Sequence, residues 1–165
     1  MRKGTAVRSI VYCYTHVQHP FDVLAAVLSE DPGRWLPAPA TPVDGAWLVH
    51  VRADGALPGL VAGNAGHPTQ VRVGPVAASE VKVLRSVAWR STTADRVVPV
   101  LEADLELVPL TGYGCQLSLM GSYRPPLSVV GEIGDRLLGH RVAEACVRRF
   151  LLDMAERLES ALSQA

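Results

Sequence analysis

Alternation of apolar and polar positions is clearest over residues 97–110. There Leu101, Ala103, Leu105 and Leu107 alternate with Glu102, Asp104 and Glu106. Successive strand side chains point to opposite faces, so this segment predicts a strand with one leucine-rich buried face and one acidic, solvated face. Thr111-Gly112 supplies a turn, and residues 113–123 return with Leu117 and Leu119 set against Leu105 and Leu107 across a hairpin. Further strands are predicted at 7–17, 46–52 (Trp47, Val49 and Val51 on one face), 70–73 and 81–92, from β-branched and aromatic content. That makes six.

Period 3.6 replaces period 2 in two places. Pro20 opens a short helical pattern carried by Phe21, Val23, Leu24, Val27 and Leu28. Asp31-Pro32 suits an N-cap and a first-turn proline, predicting a second, very short helix over 32–36. Pro37, Pro39 and Pro42 then impose an extended linker over 37–45, and 53–68 is rich in Gly, Ala and Pro. After Pro125-Pro126, Ser128 is placed to cap a long helix to about 160, roughly 45 Å in length. Its expected buried stripe is Ile133, Leu137, Leu138, Val142, Cys146, Phe150, Met154 and Leu158. Glu132/Arg136, Glu144/Arg148 and Asp153/Arg157 fall at i,i+4 on the other face.

The order of elements is α+β: a strand, one or two short helices, a run of antiparallel strands, and a terminal helix long enough to cover the sheet's apolar face. A curved sheet wrapped on one helix leaves a hollow where their surfaces diverge. The chain resembles the START-like, or SRPBCC, superfamily with its helix-grip fold. Three passages carry the resemblance: His19-Pro20 running into Phe21-Asp22-Val23-Leu24; Asp31-Pro32-Gly33-Arg34-Trp35-Leu36, similar to a D-P-x-x-W turn; and Leu117–Tyr123 with Pro125-Pro126, leading to Arg141-Val142-Ala143-Glu144-Ala145. The similarity spans nearly the whole chain, and its motifs specify a fold far better than an activity. That fold usually has seven strands, which leaves a seventh to find in 53–68 or to be absent.

The 165 residues are 48% hydrophobic and 19% charged, a length suited to one domain. Sixteen Lys and Arg balance sixteen Asp and Glu, so no basic footprint indicates a nucleic acid or stable membrane association. Cys13, Cys115 and Cys146 are odd in number and far apart, which points to reduced thiols in a cytoplasmic protein. No apolar stretch is long enough to act as a signal h-region or a membrane span.

Catalytic patterns are scarce. The five histidines form no i,i+4 pair beside a carboxylate and no Cys-x-x-Cys occurs, so no metal is indicated. There is no Gly-x-Ser-x-Gly elbow. The glycines at 59, 63 and 66 lack dinucleotide spacing, so no cofactor is indicated either. The candidate ligand-lining residues are Tyr12, Tyr14, Trp47, Arg85, Trp89 and Tyr123. Two registers stay open for the strand 81–92. One turns Arg85, Val87 and Trp89 inward, where Arg85 needs an acidic partner; the other turns Leu84, Ser86 and Ala88 inward. The strand 7–17 is equally open: either Tyr12, Tyr14 and His16 line the hollow, or they stand outside, at a homodimer contact for example. Three functions fit. The resemblance implies a protein binding a hydrophobic or polyaromatic small molecule, or a polyketide cyclase/dehydratase-like enzyme. A ligand-free interaction module is the third.

Overall fold

The structure is a computed structural model that describes residues 8–53, 66–92, 98–125 and 136–163. Its elements are β1 (Ser9–Val17), α1 (Phe21–Ser29), a 3-10 turn (Pro32–Arg34), β2 (Thr41–Val43), β3 (Ala46–Val51), β4 (His67–Ser79), β5 (Lys82–Ser91), β6 (Val100–Pro109), β7 (Cys115–Arg124) and α2 (Arg136–Ser163). The strands form one antiparallel sheet in the order β1-β7-β6-β5-β4-β3-β2, and α1 and α2 cover its inner face. The expected cap at Ser128, Ile133, the Glu132/Arg136 pair and most of 53–68 lie outside the described residues.

The seventh strand is β2, inside the segment read as an extended linker. Pro42 is tolerated there because β2 is a sheet edge, where a missing N–H breaks no ladder. Its hairpin to β3 turns on Asp44-Gly45, with φ of 48° and 73°, the left-handed pair of a two-residue type I′ turn. β4 is far longer than the expected 70–73. It runs through Gly74-Pro75 because the register with β5 slips between Val73 and Val76, which leaves the proline out of the ladder. The expected 32–36 helix is the 3-10 turn, followed by fully buried Trp35 and Leu36.

The β6–β7 hairpin pairs Leu105 with Leu119 and Leu107 with Leu117, as the alternation requires. All four leucines are buried. On α2 the buried stripe is broader than expected and centred slightly differently. Val142, Cys146, Phe150, Met154 and Leu158 are joined by Ala143, Val147 and Leu151, whereas Leu137 is 71% exposed, outside the stripe. The helix packs mainly on β1 and β7, and it also reaches β3 and the 3-10 turn. Asp153 does not depend on Arg157. It accepts from Arg52 at 2.9 Å, and Arg149 lies 2.6 Å away, so a partner distant in sequence displaces the local pair.

Among the described residues no helix is long and apolar enough to cross a membrane, and no group of three or more His, Cys, Asp and Glu side chains is gathered for a metal.

Candidate functional site

The inner face of the sheet is built in cross-strand rows fixed by register. One row is large: Ser9, Tyr123, Leu101, Trp89, Val71 and Trp47. The next is small: Val11, Gly121, Ala103, Val87 and Val73. The third carries Cys13, Leu119, Leu105, Arg85 and Val76. A trough of shorter side chains is thus set into the sheet's inner face between two taller rows, and Val11, Val87 and Ala103 in it are all buried. On β6, Ala103 keeps 9% exposure while Leu101, Leu105 and Leu107 keep 0%, 2% and 0%. Gly121 is required at the same level: a Cβ there would meet Glu102 O at 2.2 Å and Ala103 Cβ at 2.6 Å.

Tyr123 and Trp89 bound the trough on its large side. Trp89 is buried, donates from Nε1 to Pro99 O at 2.8 Å, and meets Phe150 of α2 edge-on at 4.6 Å between ring centroids. Tyr123 is buried too, and its hydroxyl shares a 2.6 Å hydrogen bond with His140 Nδ1 on α2. Their rings are T-shaped at 5.8 Å. Burial raises the Tyr123 phenol above its ordinary value; the Glu144 charge adds to this, and a hydrogen bond with Ser9 opposes it. The phenol is thereby held neutral beside an imidazole, at the end of an apolar wall.

Arg85 does face inward, in the register that buries Val87 and Trp89. Its partners are not carboxylates. Nη1 donates to Leu28 O and Glu30 O at 3.0 and 3.1 Å, and Nε and Nη2 both donate to Gly74 O at 3.1 and 3.0 Å. The guanidinium caps the carbonyl end of α1, ties it to the β4 irregularity, and lies 5.6 Å from the centroid of the Trp35 ring. Burial lowers its pKa, and the Asp31 charge opposes this.

The remaining candidates lie elsewhere. Trp47 is half-buried at the far end of the large row, its ring seated on Gly33, where a Cβ would come within 2.7 Å. Tyr12 and Tyr14 stand on the outer face, 55% and 57% exposed, in a row of tilted rings with His16. This is the reverse of a lining role, because β1 turns Val11, Cys13 and Val17 inward instead. Cys13 sits against the core at the trough's edge, and burial pushes its thiol up to about 11. Sequence reasoning missed His140 and Ala103. Stepping back one turn from Ala143, Val147 and Leu151 reaches His140, and Ala103 is the one small residue in a leucine alternation.

No family model and no curated protein matches the chain. Solved structures do. A truncated norcoclaurine synthase from Thalictrum flavum is 13% identical, with 100% of this chain and 99% of that one covered at a TM-score of 0.59. The same enzyme in complex with dopamine and hydroxybenzaldehyde is 13% identical, with coverage of 96% and 88% and a TM-score of 0.57. A conserved protein from Geobacillus kaustophilus is 9% identical, with 96% of each chain covered and a TM-score of 0.53. With seven antiparallel strands among the described residues curved against a long terminal helix, and a short helix after the first strand, the chain has a helix-grip fold, the fold it shares with these structures.

Proposed function

We propose that this protein binds a hydrophobic, oxygenated polyaromatic molecule in the trough between the sheet and α2, with Trp89 as an aromatic wall and the Tyr123–His140 pair as the polar anchor. The observation that carries the reading is the small row at Ala103 and Gly121 between two large ones, with its residual exposure at Ala103. An apolar surface with a few convergent polar groups is what small-molecule sites use to fix orientation. The norcoclaurine synthase complex, which shares the fold, holds two small oxygenated aromatics. Arg85 serves this site by fixing α1 over the sheet, since its donors already meet carbonyls.

The test is a thermal melt with 1,8-dihydroxyanthraquinone as the probe. The melting temperature is expected to rise with probe concentration by mass action. Ala103→Leu, which fills the trough, is expected to abolish the rise, and Tyr123→Phe to reduce it. An absent rise in the unaltered protein, or an equal rise in Ala103→Leu, overturns the proposal.

A second reading rests on the same pair. A phenol 2.6 Å from His140 Nδ1 can pass its proton to an enolate and be reprotonated by the imidazolium form of His140, which regains its proton from water, as a cyclase or dehydratase needs. In that case Tyr123→Phe and His140→Ala each abolish turnover of a linear polyketide analogue, while anthraquinone binding is only weakened. Turnover that survives both substitutions contradicts it.

A further inference from the structure

One stripe of the sheet's outer face breaks the pattern of the rest. A strand with one buried and one solvated face alternates apolar and polar side chains, as β6 does with its leucines inward and Glu102, Asp104 and Glu106 outward. β1 instead turns Ile10, Tyr12 and Tyr14 outward, at 82%, 55% and 57% exposure. On β7, Met120 is 58% exposed and stands directly opposite Tyr12. The two tyrosine rings lie 6.0 Å apart, and Gln116 Nε2 donates to the Tyr12 hydroxyl at 3.3 Å, so the stripe is continuous and its central ring is braced. None of these four side chains serves the core or the trough, which lie on the other face.

Tyrosine and methionine are enriched at protein interfaces, and tyrosine covers a large area for little lost side-chain freedom. Two such stripes face to face withdraw roughly 1,000 Å² from water through these four side chains of each copy, the lower bound for a specific association. His16, Gln116 and Ser122 border the stripe and supply a polar rim. The stripe carries no charge, so it calls for a surface equally apolar and uncharged. The chain itself presents one.

Charge also decides how two copies meet. Beside β7 lies β6, where Asp104 is in register with Met120 and forms no ion pair among the described residues. A two-fold axis running across the strands would lay the acidic row of one copy on that of the other, a like-charge contact that weakens association. An axis running along β1 sets Tyr12 on Tyr12 of the second copy and sends the two acidic rows to opposite flanks. β6 is two strand spacings from β1, which puts the rows roughly 20 Å apart, beyond two Debye lengths at physiological salt. The stripe is thus self-complementary, as a two-fold interface requires.

We infer that the chain forms a two-fold homodimer through the outer faces of β1 and β7, with the trough of each copy turned away from the interface. Sedimentation equilibrium of the full chain over about 1–200 μM tests it. A monomer–dimer equilibrium with a micromolar dissociation constant is expected for an interface of this size. Tyr12→Glu sets two carboxylates against each other across the axis and is expected to weaken association roughly a hundredfold. Met120→Glu, on the neighbouring strand, is expected to weaken it about tenfold. Val81→Glu, on the β4–β5 turn at 65% exposure, adds the same charge away from the stripe and is expected to leave the equilibrium unchanged. All three positions are exposed, so none of the substitutions threatens the fold. Four results overturn the inference: a monomer at the highest concentration, which leaves the stripe to a different protein; a dimer that both Tyr12→Glu and Met120→Glu leave intact; a loss in Val81→Glu equal to that in Tyr12→Glu; or association that runs past the dimer without saturating.

Discussion

The two sides of α2 meet the rest of the molecule in opposite chemistry. Along Val142, Cys146 and Phe150 the helix is seated on a dry surface, and polar atoms are met inside the protein: Trp89 by Pro99 O, Tyr123 by His140. Around Asp153 the helix is held by ion pairs beside an open hollow, with Asp153, Arg52 and Arg149 each still partly exposed. Close packing at the Trp89–Phe150 contact fixes position in the first region, so each atom lost there is felt. In the second, solvent screens each interaction and repairs its loss.

The sharpest contrast lies in the cost of substitution. Trp89→Ala removes the ring that meets Phe150 and orphans Pro99 O; equilibrium urea unfolding is expected to show a loss of about 3–5 kcal/mol. Arg85→Met is expected to cost about 2 kcal/mol, because it leaves the carbonyls of Leu28, Glu30 and Gly74 without their charged donor. Arg85→Lys should recover only part of this, since one ammonium cannot reproduce the guanidinium's span.

Cys13 tests the interior by titration. Its pKa rises from an ordinary 9.0 to about 11, so the folded chain holds this proton more tightly than the unfolded chain. The resulting stability is complete below pH 9 and is lost as pH rises through about 11. Cys13→Ala is expected to flatten that alkaline decline, as measured by urea midpoints across the window. An unchanged slope would show that Cys13 is not what the interior holds neutral. At the small end, Glu102→Gln breaks the exposed 2.7 Å pair with Arg8 and is expected to change stability by less than about 0.5 kcal/mol.

Legibility in the sequence followed how unequal the two faces of each element are. On β6 one face is leucine and the other acidic, so register, hairpin and burial could all be read. On β1 both faces mix apolar and polar groups, and tyrosine suits either environment, so alternation could not choose; packing against α2 chose Val11, Cys13 and Val17. β2 was hidden by Pro42, although Asp44-Gly45 was its signal. Arg85 could be turned inward by its company with Trp89, but its acceptors are carbonyls up to 57 residues away, and backbone atoms carry no sequence mark. Arg157 was misassigned for a related reason: i,i+4 spacing suggests a local pair, and only the fold brings Arg52 to Asp153 across 101 positions.

The central claim is that the small row across the sheet leaves space under α2. Urea unfolding of Ala103→Leu, without any ligand, tests it most directly. If the trough is open, the added carbons enter it, and stability is expected to hold or rise. A loss of about 1–3 kcal/mol, the signature of overpacking a filled interior, would contradict the claim.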